Sequence, residues 1–197
     1  MRSKDAPRTK PPEARRAELM NAAQRLFLRH GVTATSIEEI TAAAGVAKGT
    51  FYLYFNSKED IRAALGQRFA QGLLAVIEAA IADVPATDWP GKLGAWARGA
   101  VAAYLDAIRL HDVLFHEAHP PSRDGATDNV IVDRLAALLA DGRAAGAWSV
   151  PDERLTALFL FSGLHGVVDA AHSGKKRVDR DALSERVARL CFRAVIG

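Results

Sequence analysis

TSIEEITAAAGVAKGTFYLYFNSKED, residues 35–60, holds two short helical segments on either side of Ala44, Gly45 and Val46. Thr35 followed by Glu38 has the spacing of a capping box, and Ser36 with Glu39 offers the same box one residue later. Either register opens a short helix that carries Ile37 and Ile40 and stops at Gly45. The glycine permits a tight turn, and a second short helix fits between Gly45 and Asn56. Phe51 and Phe55 take one face of that helix, opposite Lys48, Thr50, Tyr52 and, at its end, Tyr54. Two helices joined in this way form a helix-turn-helix. Its second helix is free to enter a DNA major groove about 12 Å wide, where hydroxyls and an ammonium reach phosphates or base edges.

Working outward, strand signals are nearly absent and the 3.6-residue period recurs, which predicts an all-α protein. From Glu13 to His30 the positions Leu19, Ala22, Ala23, Leu26, Phe27 and His30 make one helical stripe, and Gly31 supplies the stop. Downstream, Ser57 and Asp60 form another capping signal ahead of a long helix carrying Ile61, Leu65, Phe69, Leu73, Val76, Ile77 and Ile81. Pro85 and Pro90 interrupt it. Further helices are expected near 91–118, bent near Arg109 and ended by Pro120 and Pro121, and near 127–146, 151–173 and 180–195. The implied division is a flexible basic arm over 1–12, a three-helix helix-turn-helix domain over 13–62, and a larger helical domain over 63–197.

Charge is distributed to suit. The 197 residues carry a net +3, with 49% hydrophobic and 25% charged residues, an ordinary globular composition. Residues 1–62 hold eleven Lys and Arg against seven Asp and Glu, and the remainder holds fifteen against sixteen. The basic excess at one end points to a nucleic-acid or anionic surface there. The run from Ala157 to Val168, broken by Ser162, Gly163, His165 and Gly166, falls short of the roughly 20 apolar residues of a membrane span, so a cytoplasmic protein without a membrane partner is expected. Cys191, the single cysteine, reads as a core thiol.

Residues 13–62 resemble the DNA-binding domain of TetR-type transcriptional regulators. The resemblance is carried by Thr35, Ser36, Ile37, Ile40, Ala43, Gly45, Val46, Lys48, Gly49, Thr50, Phe51, Tyr52, Tyr54, Phe55, Lys58 and Glu59. It implies a bacterial homodimer in which each recognition helix enters a major groove of a pseudo-palindromic operator. Such a protein is usually a repressor released by a small ligand bound in the C-terminal domain. The DNA contacts then fall on Thr35, Ser36, Lys48, Gly49, Thr50, Tyr52, Tyr54 and Lys58. Lys58 in the first turn of a helix opposes the dipole, which favours a phosphate partner over a merely solvated lysine. Tyr52 and Tyr54 also admit a packing role.

The C-terminal region offers two apolar stripes, Leu155, Leu158, Phe159, Ser162, Gly163, Gly166, Val167 and Ala170, then Leu183, Val187, Leu190, Cys191, Ala194 and Val195. Small residues at Ser162, Gly163, Gly166 and Ala170, with Val187 and Leu190, suit a dimer seam of two helices from each protomer. A largely apolar ligand pocket is expected beside the long fourth helix, with Trp96, Tyr104, Phe115, His116, Trp148 and Phe159 as its candidate lining. Core packing is the competing account of these side chains.

Two histidine groups have metal-binding spacing, His116 with Glu117 and His119, and His165 with Asp169 and His172, but interface or helix-end histidines are the commoner case and no metal or other cofactor is expected. No phosphate-binding glycine loop, nucleophile elbow or paired catalytic carboxylates occur, so an enzyme is not expected. The alternative to a ligand-released repressor is a DNA-binding regulator that is constitutive or answers to a protein partner or a metal.

Overall fold

The computed structural model describes residues 11–116, 129–174 and 178–196, and the elements among them are all helical. They are α1 (Pro12–Ala34), α2 (Ile37–Ala44), α3 (Lys48–Phe51), α4 (Lys58–Ala82), α5 (Trp89–Phe115), α6 (Val130–Ala144), α7 (Glu153–His172) and α8 (Arg180–Ile196). The chain forms two compact units. The first takes residues up to Gln67 together with the segment from Arg109, and the second takes Arg68–Ile108 and the remainder. The expected basic arm lies outside the described residues as far as residue 10, as do Pro120 and Pro121.

In the first unit, proline stands at the first helical position of α1, where the missing N–H is not needed. Gly31 then takes φ 80, ψ 163, a region L-residues avoid, and the helical path breaks there as expected. The break frees the Gly31 carbonyl, and the Thr35 hydroxyl donates to it at 2.8 Å. Thr35 is thereby drawn into the interior, 2% exposed, and does not cap α2.

Ser36 is the cap. Its Oγ accepts from the Glu39 N–H, and the Glu39 carboxylate accepts from the Ser36 N–H at 2.7 Å. Of the two overlapping boxes, the Thr35–Glu38 register is therefore not used. At the other end Gly45 (φ 67, ψ 38) donates to the Ala42 carbonyl and Val46 to the Thr41 carbonyl, the paired closure that a left-handed glycine makes.

Leu19, Ala22, Ala23, Phe27, Ile40, Phe51, Phe55, Ile61 and Leu65 are buried in this unit, while Leu26 and Ile37 are half-buried. Each buried phenylalanine contributes about 1.5–3 kcal/mol by leaving water. Ser57 caps α4 by accepting from the Asp60 N–H, and the Asp60 carboxylate accepts from the Asn56 N–H at 2.9 Å. The last turns of α5 belong here too. Arg62 donates to the Leu114 carbonyl at 2.6 Å, and a Cβ added at Gly66 would stand 3.2 Å from the Phe115 ring. Where the sequence suggested a bend or a division into two helices near Arg109, α5 is one helix of 27 residues, and no proline or glycine follows Gly99 within it.

In the second unit, Leu93, Trp96, Ala97, Val101 and Tyr104 of α5 pack with Leu135, Leu138 and Leu139 of α6, Ala157, Leu160, Leu164 and Val168 of α7, and Val187, Cys191 and Val195 of α8. Trp148 Nε1 donates to the Leu139 carbonyl at 2.8 Å, and its indole occupies the space a side chain at Gly142 would need. Arg180 holds Asp106 by two bonds of 2.5 and 2.7 Å. Burial pushes the Cys191 thiol up to about 11, as expected of a core cysteine. By length and mean hydropathy (1.2) α7 could cross a membrane, but one line of its side chains is a core face of this unit. Its other face is apolar and exposed.

Candidate nucleic-acid interface

Because α3 is only four residues long and lacks a side-chain cap, its position depends on the burial of Phe51 and Phe55 on either side of the turn at 52–54. That anchorage presents Lys48, Gly49 and Tyr52 at the surface, with Tyr52 50% exposed, and leaves Thr50 and Tyr54 half-buried. Phe51 meets Tyr52 edge-on at 5.5 Å, which orients the tyrosine without covering it. Gly49 is informative. A Cβ there would meet nothing within 4 Å and its φ is not positive, so neither packing nor backbone conformation asks for glycine. Glycine in a helix costs about 1 kcal/mol relative to alanine, and nothing among the described residues offsets that cost at Gly49.

Lys48 pairs with Glu38 of α2, both side chains exposed. Their hydrogen bond raises the lysine above its ordinary value and holds the Glu38 carboxyl below its own. Hydrogen bonds from the Ser36 N–H and hydroxyl likewise lower Glu39. Ten residues of separation is no helical register, so the Lys48–Glu38 pair has no signal in the sequence. Leu53, 78% exposed at the turn after α3, has none either.

Two expected contact residues stand differently from expectation. Thr35 is buried, as described, so its hydroxyl faces the protein. Lys58 donates to the Thr33 carbonyl at 3.1 Å and the Thr35 carbonyl at 2.8 Å. The carbonyls released where α1 ends thus explain a lysine in the first turn of α4, without requiring a phosphate. Ser36 is half-buried and engaged in its capping box.

The six candidate ligand residues are divided between the two units. Trp96 (1% exposed), Tyr104 (2%) and Trp148 are buried in the second unit, whereas Phe115 and His116 are exposed and belong to the first. Phe159, 69% exposed, lies on the outer face of α7, because that helix turns its Leu160 and Leu164 line inward instead. Tyr104 donates to Asp169 Oδ1 at 2.6 Å. The Trp96 Nε1 is buried and has no hydrogen-bond partner among the described residues. A groove of about 330 Å3 between the start of α5 and α8 is lined by Pro90, Gly94, Arg98, Glu185, Ala188, Arg189, Phe192 and Arg193, none of them among the six candidate ligand residues.

Ser162, Gly163, Gly166, Ala170 and Leu190 are exposed, and a Cβ at either glycine would meet open space. Val187 departs from its expected place at the seam: it is 3% exposed, held in the core of its own unit with Cys191 and Val195. His165 packs between Tyr104 and Phe161 (ring centroids 4.5 and 4.3 Å), and His172 is exposed, so the His165–Asp169–His172 set does not converge. Glu117 and His119 lie outside the described residues. Among the described residues, His111, Asp112 and His116 do converge.

Residues 19–65 match the family model of bacterial regulatory proteins, tetR family. The transcriptional activator FasR of Mycolicibacterium smegmatis is 34% identical over 102 residues, 52% of this chain and 43% of FasR. The repressor DhaR of Mycobacterium sp. (strain GP1) is 35% identical over 68 residues, 34% of each chain. These matches span less than half the length of either relative. Among solved structures, the fatty acid degradation regulator FadR from Bacillus halodurans superposes with a TM-score of 0.72 at 26% identity, covering 94% of this chain and 97% of that one. The helix-turn-helix in sequence and the helical array in fold agree: residues 19–65 are a DNA-binding segment of the tetR family of bacterial regulatory proteins, in a chain whose fold is similar to that of FadR.

Proposed function

We propose that the chain is a cytoplasmic, homodimeric DNA-binding transcriptional regulator, a repressor released from a pseudo-palindromic operator by a small, largely apolar ligand. The observation that carries the reading is the α2–Gly45–α3 helix-turn-helix, whose outer surface offers Lys48, Thr50 and Tyr52 beside a glycine that nothing among the described residues requires. Lys48 and Thr50 read base edges, and Tyr52, Tyr54 and Lys58 hold phosphates. Gly49 lets the sugar-phosphate backbone approach.

Dimerisation is supported by the outer face of α7 and α8. Leu155, Phe159, Val167 and Leu190 are large apolar side chains at the surface, and Ser162, Gly163, Gly166 and Ala170 between them allow a second copy's helices close approach. A two-fold seam of this kind sets two recognition helices about one turn of DNA apart, roughly 34–36 Å.

The ligand reading draws support from Trp96. A buried indole N–H without an acceptor leaves a polar group to satisfy inside an otherwise apolar core, the environment in which an apolar ligand bearing one acceptor gains affinity. Release requires that the ligand prefer the state that does not bind DNA. α4 is one continuous helix with residues in both units, so it provides the covalent path for that preference.

The test is footprinting of the purified protein on the intergenic DNA beside its own gene at two salt concentrations. Protection of a pseudo-palindrome that persists at about 200 mM salt is expected, since nonspecific phosphate binding collapses there. Diffuse, salt-sensitive coverage on that DNA and on a genomic operator library would overturn the reading. A reporter fused to the protected promoter distinguishes repression from activation.

A further inference from the structure

We propose that His111, Asp112 and His116, at the C-terminal end of α5, form a binding site for one divalent transition-metal ion of the zinc class. Their ligand atoms all lie within 4.8 Å of one another. Asp112 Oδ1 is 3.4 Å from His111 Nδ1 and 3.3 Å from His116 Nδ1. Both distances are long for a hydrogen bond, whose usual N–H···O length is about 2.9–3.0 Å. They match another quantity. With metal–nitrogen and metal–oxygen bonds of about 2.0–2.1 Å, neighbouring ligand atoms of a tetrahedral site stand about 3.3–3.4 Å apart. The carboxylate therefore sits where the shared corner of two tetrahedral edges belongs.

The surroundings are consistent with a cation. His111 is 7% exposed and lies 5.1 Å from the Phe115 ring, so one ligand is held by packing. The two imidazole rings stand edge to face, at 88° and 5.0 Å, and do not stack on one another. The side chains of Asp112 and His116 are 39% and 55% exposed, which leaves a path for an ion and a fourth position for water. The last turn of α5 contains no lysine or arginine. The helix dipole is negative at this end, so an aspartate there is unfavourable by itself and a cation beside it is favourable. Arg62, the neighbouring fixed cation, is turned to Glu59 and the Leu114 carbonyl. Two imidazoles and one carboxylate form a borderline donor set that suits zinc, nickel or cobalt over magnesium or calcium. The site rests on this geometry alone and is independent of the DNA-binding reading.

The experiment is calorimetric titration of the tag-free, chelator-treated full-length protein with zinc chloride alone, paired with cobalt(II) absorption spectroscopy. One ion per chain with an affinity of about micromolar or tighter is expected, with cobalt giving the visible bands of a four-coordinate nitrogen–oxygen site. His116→Ala and Asp112→Asn each change a solvent-accessible group, and each should weaken binding at least ~100-fold, beyond what loss of an outer-shell partner costs. Thermal melts of the metal-free variants check that folding is retained. His172→Ala should bind as the unaltered chain does. Absence of heat and of cobalt bands, or undiminished binding by folded His116→Ala, would overturn the proposal.

Discussion

Replacing Lys58 by methionine keeps most of the aliphatic stem and removes the ammonium, which separates two roles that one lysine can hold. In the structure the ammonium donates to the Thr33 and Thr35 carbonyls at 3.1 and 2.8 Å, tying the first turn of α4 to the end of α1. A hydrogen bond from a charged donor is worth about 1.5–3 kcal/mol when shielded. The bond to Thr35 is half-shielded, whereas the bond to Thr33 is exposed and its carbonyl is readily rehydrated, so the two together should contribute about 1–2 kcal/mol. For a chain of this size that is a fall in Tm of about 2–8 °C, read by circular dichroism or calorimetry at fixed protein concentration. The third N–H remains available to a phosphate. Lys58→Met should therefore also lower the slope of log affinity against log salt by about 0.9, equally on all operator variants. A Tm unchanged to within about 1 °C would refute the structural reasoning. A lowered Tm with an unaltered slope would refute the phosphate contact and leave Lys58 as a tie between helices.

Three further outcomes are expected. Gly49→Ala meets no steric obstacle and should stabilise the fold by up to about 0.5–1 kcal/mol while weakening operator binding in gel shifts, a divergence in sign that a purely structural glycine cannot produce. Ser36→Ala removes the α2 cap and should cost about 1 kcal/mol. Glu39 is held below its ordinary value first by the residue-36 N–H and then by the Ser36 hydroxyl, so the hydroxyl's share is present above an ordinary glutamate pKa of about 4.3 and is lost as pH falls through the lower folded value. In acid melts the gap between the unaltered chain and Ser36→Ala should narrow there without closing, because the Ser36 Oγ still accepts from the Glu39 N–H. Phe159→Glu changes a side chain that is 69% exposed in one chain, so light scattering should report a dissociated but folded protein, and a dimer of unaltered strength would remove α7 from the seam.

Much of the first unit is legible residue by residue, because its punctuation is local. Gly31 and Gly45 take left-handed conformations that follow from having no Cβ, and the alternation of Phe51 and Phe55 with Thr50 and Tyr52 leaves one consistent face inward. The candidate contacts on α3 follow from that face. Less legible are contacts between residues far apart in sequence. The Lys58 ammonium reaches carbonyls 25 and 23 residues away, and Arg62 reaches the carbonyl of Leu114, 52 residues on. No periodicity encodes such pairs.

By itself the sequence determined the all-helical class, most helix limits, the helix-turn-helix and its exposed polar face, since capping, glycine turns and the 3.6-residue period are properties of neighbouring residues. Tertiary structure decided between alternatives that local physics leaves equal. The Thr35–Glu38 and Ser36–Glu39 boxes have the same spacing, and the second forms because Thr35 is drawn inward to the carbonyl freed at Gly31. α7 is apolar around most of its circumference, so only the packing of α5, α6 and α8 settles that Leu160 and Leu164 are buried while Phe159 and Gly163 face outward. The same packing holds Val187 in the core and leaves Leu190 at the surface. A hydrophobic pattern states which side chains share a face, and the neighbours that arrive from elsewhere in the chain determine which face is removed from water.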